Sequence, residues 1–548
     1  MNHYTEIIFQ LLIIMTLLSL LICWKPFNNR WLNICIHISF GFLISGLIPE
    51  FLDLILPLQK SVVLYIPYLL FCLLTMLITG NKKTVNSPKK GEDVFILETN
   101  DGKNIEFYYP RDNFLVYGGA GSGKTASIGK PLMEQFIKNK WAGFIYDYKD
   151  FDYTRTAYNL AVKYNYPFKF YYISFTDMSR TYRFNPLDKK VVEDEALLQQ
   201  VMDDFLKSMM PIDGKTDEWY QGALGILKGV AYRFYSFKGE FERLCTLPHI
   251  LNFILLAKPE ELIKFLEGDN MSKSLAGAFI GAKGSERTLS SYLSTLNNYI
   301  TNLATNKNIC YVLTGDDFIF NLVDPEDPKL FAVCNNFARE NIISPIIAML
   351  LPISARKIEF GNKIKFAYIL DEMTTFKVNN FQQMPSVLRE YNAAFVVMTQ
   401  SGSKLEKVYK REDRASIEAN CANIFLGRTK DVEALKYYPL FFGKHEAEKW
   451  SYSTGKSGQS QSRNSTKSTQ KEEVYDANSF AELEQGEFIM GFGTANYKKM
   501  KAKLQMFKLQ EDPLPVINAV TKQDIDDNYN KIIQDLDILY DGECGREY

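Results

Sequence analysis

Three long apolar runs dominate the first part of the chain, at 7–24, 31–48 and 61–79. The first run holds 18 residues without a charge, about the length needed to cross a hydrocarbon core of ~30 Å. Polar residues interrupt the second run, and the third contains a proline. Because no basic segment precedes the first run and further apolar runs follow it, the pattern argues against a cleaved signal peptide. It predicts a transmembrane region over 1–80 with two or three helices.

Basic residues after the third run orient this region. Lys82, Lys83, Lys89 and Lys90 follow it in a polar stretch that begins a predicted linker and lead-in, 81–112. Positive charge flanking a span favours the cytoplasmic side. Three spans with an external N-terminus fit best, and two spans with a small external segment come second. Both arrangements place the rest of the chain in the cytoplasm.

From residue 113 onward, short apolar runs alternate with helical patterns, as in a parallel α/β sheet. Several of the predicted strands are continuously apolar, as expected for strands that helices cover on both faces. These strands are predicted at 113–117, 142–147, 168–175, 330–335, 364–370, 394–399 and 424–427. They fall into two parts of one α/β domain, 113–190 and 309–510.

The stretch between these two parts, 191–308, has helical patterns without a good strand, and we interpret it as an all-α insertion. Within the second part, 451–470 is rich in Ser, Gln and Lys and is predicted to be a flexible loop. A further β-type piece, 487–506, follows the loop. The end of the chain, 511–548, is acidic, and we expect it to form a mobile tail.

Composition excludes several classes of site. Lys and Arg total 63 against 64 Asp and Glu, a net charge of -1, so any nucleic-acid contact must come from a local basic surface. The clearest basic run is 497–503, although lysines alternating with apolar residues are equally typical of a protected edge strand. The 8 cysteines form no C-x-x-C pair, and the 4 histidines show no metal-ligand spacing. This usage indicates a reducing compartment and no zinc site.

A phosphate-binding motif follows the first predicted strand of the α/β domain. The segment 118–125 fits G-x-x-x-x-G-K-[ST] and opens a helix, which is the context that the motif requires. Its backbone N–H groups would surround the phosphates of ATP, Lys124 would reach the β- and γ-phosphates, and Thr125 would bind Mg²⁺. The predicted binding residues are Gly118, Gly119, Ala120, Gly121, Ser122, Gly123, Lys124, Thr125 and Ala126.

Two adjacent carboxylates, Asp371 and Glu372, end the predicted strand 364–370. Ligands of open α/β sheets bind at this edge. We expect Asp371 to hold Mg²⁺ and Glu372 to orient or deprotonate the attacking water. The alternative interpretation is an acidic pair on the surface without a catalytic role. The position of Asp371 and Glu372 after a P-loop and an α insertion disfavours that alternative.

Two further polar residues follow in the same part of the chain. Gln400 ends the strand 394–399 and could sense the γ-phosphate, whereas Arg389 could reach the ATP of a neighbouring subunit. A strand-end hydrogen bonder and a solvated helix arginine are the plain alternatives, and from the residues alone they are favoured.

Taken in order, these motifs resemble the type IV coupling proteins of conjugation and type IV secretion, the TraG/TraD-like group. The resemblance covers nearly the whole chain and departs from the family in lacking a glycine after Lys149 and in the Glu-Tyr that follows Arg389. It is carried by the apolar N-terminal runs, GGAGSGKT with Pro131 in the next helix, YDYKD at 146–150, FNPLD at 184–188, EWY at 218–220, LREY at 388–391, TQS at 399–401 and NCANIFLGR at 420–428.

The resemblance implies an α/β fold with a RecA-like P-loop NTPase core, an inserted all-α domain and N-terminal transmembrane helices. It implies a homohexameric, multi-pass ATPase of the bacterial inner membrane that uses ATP and Mg²⁺. Such a motor recruits a relaxase–DNA complex to a secretion channel and drives DNA through the ring bore. The family supports Arg389 as an inter-subunit finger and Gln400 as a sensor, beside Lys124 and Glu372.

Other classes of protein remain open. An FtsK- or HerA-like chromosomal translocase is disfavoured by the large α insertion. A transporter ATPase for protein substrates is disfavoured because no Leu-Ser-Gly-Gly-Gln element lies between the motifs. A non-hydrolysing scaffold is disfavoured by the intact Lys124, Thr125, Asp371 and Glu372. We expect the insertion and the acidic tail to recognise the transported substrate, since both lie outside the ATPase core.

Overall fold

A nine-stranded sheet lies at the centre of a computed structural model of the chain, which describes residues 93–211, 214–457 and 460–544. The predicted membrane spans lie outside these residues. The strands are β1 (Phe95–Glu98), β2 (Asn104–Phe107), β3 (Phe114–Tyr117), β4 (Ala142–Asp147), β5 (Lys169–Ile173), β6 (Lys329–Cys334), β7 (Phe366–Leu370), β8 (Ala393–Thr399), β9 (Asn423–Gly427), β10 (Lys444–Ser457), β11 (Ser460–Glu473), β12 (Glu487–Phe492) and β13 (Lys499–Lys503).

The order across the large sheet is β13-β12-β9-β3-β8-β7-β4-β6-β5. Every pairing from β9 to β5 is parallel, whereas β12 and β13 add an antiparallel edge. The seven parallel strands confirm the seven that the sequence predicts, and β12 and β13 confirm the β-type piece at 487–506. The pairs β1–β2 and β10–β11 form two separate two-stranded sheets that the sequence analysis missed.

Helices cover both faces of the sheet. Neighbouring residues of one strand enter different apolar clusters, as Leu115 and Val116 of β3 do, because side chains alternate along a strand. The helices are α1 (Lys130–Lys138), α2 (Asp152–Lys163), α3 (Glu195–Ser208), α4 (Glu218–Ser236), α5 (Leu247–Leu256), α6 (Pro259–Glu267), α7 (Asn270–Leu275), α8 (Gly277–Gly281), α9 (Glu286–Ala304), α10 (Lys307–Val312), α11 (Glu340–Arg356), α12 (Met384–Val387), α13 (Gly402–Ala419), α14 (Val432–Tyr437), α15 (Ala477–Ala481) and α16 (Lys522–Leu539).

The predicted insertion is helical. Helices α3 to α9 lie within 191–308, and the described part of that stretch contains no strand. Its apolar residues, such as Leu227 of α4, belong to the same buried cluster as Tyr368 of β7. The insertion therefore packs as an extension of one face of the sheet.

The predicted flexible loop at 451–470 is a correction. Its described residues, 451–457 and 460–470, lie within β10 and β11, which pair in register as an antiparallel ribbon. Ser and Thr tolerate extended backbone, and exposed cross-strand ion pairs, Lys449–Glu472 at 2.6 Å and Lys467–Glu448 at 2.7 Å, add to the ladder. A hydrophilic composition therefore indicated exposure and not the absence of regular structure.

The acidic end of the chain is a second correction, because its described residues, 511–544, pack against the rest of the protein and do not form a mobile tail. Helix α16 packs against α5 and α10 of the helical region. Asp535 accepts two 2.7 Å hydrogen bonds from the guanidinium of Arg243. The buried Tyr540 stacks on Phe253, with ring centroids 4.7 Å apart. The sequence analysis weighed the negative charge and overlooked the apolar face of this helix.

Among the described residues, one helical stretch, Phe337–Arg356, has the length and composition to cross a membrane. Most of it is buried within the protein, and residues such as Ile346 and Leu350 belong to the core cluster. We therefore assign it as a core helix.

Candidate functional site

The P-loop connects the carboxyl end of β3 to a helix that starts with a π turn, Thr125–Gly129, and continues as α1 with Pro131 in its first turn. The loop has positive φ at Gly121 (72°) and Gly123 (95°), a backbone region that glycine adopts without steric cost. A Cβ at Gly123 would lie 2.9 Å from the backbone nitrogen of Gly486. Glycine is therefore required here by both conformation and space.

Neighbouring strands hold the loop in place. The Gly118 N–H donates to the carbonyl of Gln400 at 3.1 Å, and the Gly119 N–H donates to the carbonyl of Arg428 at 2.8 Å. On the far side of the loop, the Gly486 N–H donates to the carbonyl of Ser122 at 2.9 Å. Parts of the chain separated by hundreds of residues thus shape the P-loop.

Asp371 lies just beyond the carboxyl end of β7 and is 4% exposed. Burial raises the pKa of its carboxyl to about 7, against the opposing effect of the Lys149 ammonium. Its Oδ2 atom accepts no hydrogen bond from any described residue. A buried carboxylate oxygen without a donor fits a cation ligand. No group of three His, Cys, Asp or Glu in the described residues could hold a metal, and Mg²⁺ is ordinarily held by one or two carboxylates with substrate phosphates.

Glu372 has a left-handed backbone conformation, with φ 49° and ψ 57°. Its Oε1 atom accepts hydrogen bonds from the hydroxyls of Thr374 and Thr399, each at 3.2 Å. Such conformations persist where the surroundings impose them, and they concentrate at functional sites. The side chain is therefore held at the edge where β7 and β8 end.

Lys124 is close enough to both carboxylates for their charges to act on it. Burial lowers the pKa of Lys124, and the charges of Glu372 and Asp371 raise it in opposition. Its ammonium donates a hydrogen bond to the carbonyl of Gly118. The structure therefore places Lys124, Asp371 and Glu372 in one site, as the sequence predicts.

Gln400 lies beside this group because β8 pairs with both β3 and β7. Its side-chain oxygen accepts a hydrogen bond from Lys404. This position, between the P-loop and Glu372, agrees with the predicted placement of Gln400, and its role as a sensor stays a prediction.

Arg389 lies outside its own chain's nucleotide site. It occupies a 3-10 turn, Leu388–Tyr391, instead of a regular helix, and its guanidinium is 3.5 Å from Asp112. Both residues precede strands, so they lie at the amino edge of the sheet. The 7 residues of β8, at ~3.3 Å per residue, separate this edge from the P-loop edge by roughly 20 Å. A catalytic role for Arg389 would therefore require a second subunit.

A cleft beside the P-loop helix was not predicted. Its volume is about 680 Å³, within the range of small-molecule sites. The C-terminal segment forms one wall, where the Phe507 N–H donates to the carbonyl of Ala126 at 2.7 Å. The sequence offered one indication of this cleft, the YDYKD motif at 146–150, because its Lys149 is among the lining residues. The cleft is lined by Thr125, Ala126, Lys130, Lys149, Asp152, Phe507, Lys508, Leu509, Gln510 and Glu511.

The basic run at 497–503 contains the outer strand, β13, at Lys499–Lys503. Its lysines are exposed, and Lys501 and Lys503 pair with Glu487 and Glu484 at 3.5 and 2.7 Å. The structure therefore favours the protected edge strand over a cationic DNA surface.

The P-loop follows one parallel strand, β3, and the buried Asp371 and half-buried Glu372 follow another, β7, with β8 between the two strands. This arrangement defines a P-loop NTPase of the α/β class. The sequence model of one family, described as "Type IV secretory system Conjugative DNA transfer", matches residues 75–520. The chain therefore belongs to this family. A comparison with curated proteins finds no match to its sequence.

Solved structures of the bacterial conjugative coupling protein TrwB share the fold. The unbound form matches with a TM-score of 0.60 at 17% identity, covering 80% of this chain and 94% of that one. The complex with a non-hydrolysable GTP analogue matches with a TM-score of 0.60 at 16% identity, covering 80% and 95%. The complex with ADP and Mg²⁺ matches with a TM-score of 0.58 at 16% identity, covering 74% and 87%.

Proposed function

We propose that this protein is the ATP-hydrolysing motor of conjugative DNA transfer through a type IV secretion system. The observation that supports the proposal best is the meeting of Lys124, Asp371 and Glu372 at the carboxyl edge of the sheet. Membership of the conjugative DNA transfer family supports the substrate class.

Each site residue has a chemical role in this proposal. Lys124 neutralises charge on the phosphates, and the backbone N–H groups of the P-loop hold them. The hydroxyl of Thr125 and the carboxylate of Asp371 would hold Mg²⁺, which supplies charge neutralisation on the phosphate oxygens. Glu372 orients the attacking water and accepts its proton. Gln400, next to Glu372, senses whether the terminal phosphate is present.

The cleft between the P-loop helix and the C-terminal segment is proposed to accept the nucleoside. It adjoins Thr125 and Ala126 and has room for a base and a ribose. TrwB structures with ADP and Mg²⁺ or with nucleotide analogues support ATP and Mg²⁺ as the ligands of this fold.

The assembly follows from the same proposal. Arg389 completes the site of a neighbouring subunit, which requires a ring, and a homohexamer with DNA in its bore is the expected form. The apolar runs within 1–80 anchor the ring in the bacterial inner membrane as a multi-pass protein, with the motor in the cytoplasm. The helical insertion and α16 recognise the relaxase–DNA substrate and present it to the secretion channel.

The test is ATP hydrolysis by the purified full-length protein, with and without DNA, and with oligomer size recorded in the same sample. DNA should raise turnover, and Lys124→Ala and Glu372→Gln should abolish it. Lys124→Ala should also weaken nucleotide binding, whereas Glu372→Gln should retain it, because only Lys124 is expected to contact the phosphates. A ring that hydrolyses ATP and ignores DNA would contradict the proposal and favour a motor for protein substrates.

A further inference from the structure

The turn between β4 and α2, residues 148–151, reaches the edge of the sheet where the proposed nucleotide site lies. Strands β4 and β7 pair in parallel, and the Asp371 N–H donates to the carbonyl of Tyr146 at 3.2 Å. The two strands therefore end side by side. Lys149, in this turn, also lines the cleft next to Thr125. One turn thus borders both the buried carboxylate of Asp371 and the cleft beside the P-loop helix.

The backbone of this turn has an uncommon conformation. Asp150 and Phe151 have φ of 41° and 65°, a region that residues other than glycine rarely adopt. The surroundings impose it, because the Asp150 N–H donates to the carbonyl of Asn335 at 3.2 Å and the side-chain amide of Asn336 donates to its carboxylate at 2.5 Å. Imposed strain of this kind concentrates at functional sites.

The buried Asp147 fixes the start of the turn. Its carboxylate accepts hydrogen bonds from the N–H and the hydroxyl of Thr154, each at 2.8 Å, and from the Lys149 N–H at 3.2 Å. The side chain of Lys149 is exposed. The main chain of Lys149 is therefore held in place, while its ammonium is open to a ligand.

Three lysines line the cleft, and they differ in their partners. Lys130 is neutralised by Asp152 at 2.7 Å and by Glu511 at 3.6 Å. Lys508 belongs to the C-terminal wall of the cleft. The Lys149 ammonium forms neither an ion pair nor a hydrogen bond with any residue in the described part of the chain. Its charge is therefore available to a bound anion.

The charge of Lys149 acts on the groups that are proposed to handle ATP. Burial raises the pKa of Asp371, and the Lys149 ammonium is the largest charge that opposes this rise. Burial lowers the pKa of Lys124, and the Lys149 charge lowers it further against two opposing carboxylates. Because such effects fall off with distance, the Lys149 ammonium lies near the P-loop lysine as well as near Asp371.

This arrangement selects for a polyphosphate. A triphosphate carries several negative charges, and the carboxylates of Asp371 and Glu372 add two more to the same site. Lys124 and Mg²⁺ together offset only part of that charge, so a further cation favours binding of the outer phosphates. An uncharged nucleoside, or AMP with its one phosphate next to the ribose, makes no use of an ammonium at this end of the site.

We propose that Lys149 is a second phosphate-binding lysine, which contacts the β- and γ-phosphates of ATP from the turn that follows β4. The inference rests on the proposed nucleotide site and adds a residue to it. Because Lys149 and Lys124 come from different parts of the fold, bound ATP would hold the turn after β4 against the P-loop.

The test measures the affinity of the full-length protein for ATP and for AMP, by competition with a fluorescent ATP analogue in the presence of Mg²⁺. Lys149→Ala should weaken ATP binding roughly tenfold, the effect of losing one hydrogen bond to a charged group, and Lys149→Arg should restore most of it. AMP affinity should be the same in Lys149→Ala and the wild type, because AMP lacks the β- and γ-phosphates. Lys436→Ala, which removes a lysine that is 68% exposed elsewhere, is the matched control.

Three outcomes would overturn the inference. If Lys149→Ala weakens ATP and AMP binding equally, Lys149 only shapes the cleft. If its ATP affinity equals that of the wild type while Lys124→Ala loses affinity, Lys149 only balances the charge of Asp371, and the motor proposal stands. If Lys124→Ala also binds ATP like the wild type, the proposed nucleotide site fails and the inference fails with it.

Discussion

The hydroxyl of Thr399 donates a 3.2 Å hydrogen bond to Oε1 of Glu372. Thr399 is the last residue of β8, and Glu372 follows the end of β7. The next residue after Thr399, Gln400, accepts a hydrogen bond from the P-loop N–H of Gly118 through its carbonyl. The end of β8 therefore connects the carboxylate proposed to act on water with the loop proposed to hold the phosphates.

Thr399→Val should lower the turnover number roughly tenfold, because one hydrogen bond to a charged group is worth about 1.5 kcal/mol. The affinity for nucleotide should change little, since Thr399 positions Glu372 and is not expected to contact the phosphates. Steady-state ATP hydrolysis and nucleotide binding by calorimetry separate the two effects. Ser354→Ala, which removes another buried hydroxyl, should leave both values unchanged. A loss of affinity without a loss of turnover would contradict the positioning role.

Asp371→Asn should abolish Mg²⁺-dependent turnover, and chelation of Mg²⁺ should do the same to the wild type. In chelator, the variant should be at least as stable to heat as the wild type. The reason is that Asp371 is buried with an oxygen that no described residue hydrogen-bonds, so its charge opposes folding when no cation is bound. Thermal unfolding in EDTA and in Mg²⁺ measures this. If Asp371→Asn lowered stability in EDTA as well, the residue would have a structural role that the geometry does not suggest.

Arg389→Ala should reduce turnover by about a thousandfold if the guanidinium acts across a subunit boundary. The decisive measurement mixes Arg389→Ala with Lys124→Ala. Some interfaces in mixed rings then combine an intact Arg389 with an intact Lys124, and activity should reappear. Arg411→Ala removes another exposed arginine and should behave like the wild type. Mixed rings with no recovered activity would show that Arg389 does not complete a neighbour's site.

Asp535→Asn should destabilise the docking of α16 by about 1–3 kcal/mol, the usual contribution of hydrogen bonds to a charged group. Burial raises the pKa of Asp535, but the two hydrogen bonds from Arg243 and the nearby His249 ring, 3.5 Å away, outweigh that effect, so the pKa lies below its ordinary value. This stabilisation is complete above the unfolded pKa of about 4 and is lost as the pH falls below it.

The difference in unfolding free energy between the wild type and Asp535→Asn should therefore be constant from pH 5 to 8 and shrink below pH 4. Denaturant unfolding at several pH values measures it. Asp527→Asn, on the same helix and exposed, should have little effect at any pH. A difference that grew on acidification would exclude the Arg243–Asp535 pair as its source.

The sequence by itself determined the parallel strands, the P-loop, the Asp-Glu pair and the helical insertion. Each of these features can be recognised from residues close together in the sequence, namely from hydrophobic periodicity, the spacing of glycines or the residues that end a strand. The predictions of a flexible loop at 451–470 and a mobile tail at 511–548 were wrong because they used local composition alone. Polarity reports exposure, whereas pairing in a ribbon or docking of a helix depends on a partner elsewhere.

Only the tertiary structure decided which distant residues complete the site. The hydrogen bond from Thr399 to Glu372, the contact of Gly486 with Ser122 and the position of Phe507 over Ala126 each join parts of the chain far apart in sequence. The strand order brings them together, and it also places Arg389 at the opposite edge from the P-loop. No local pattern encodes that order, because it depends on how all the strands and helices share one buried core.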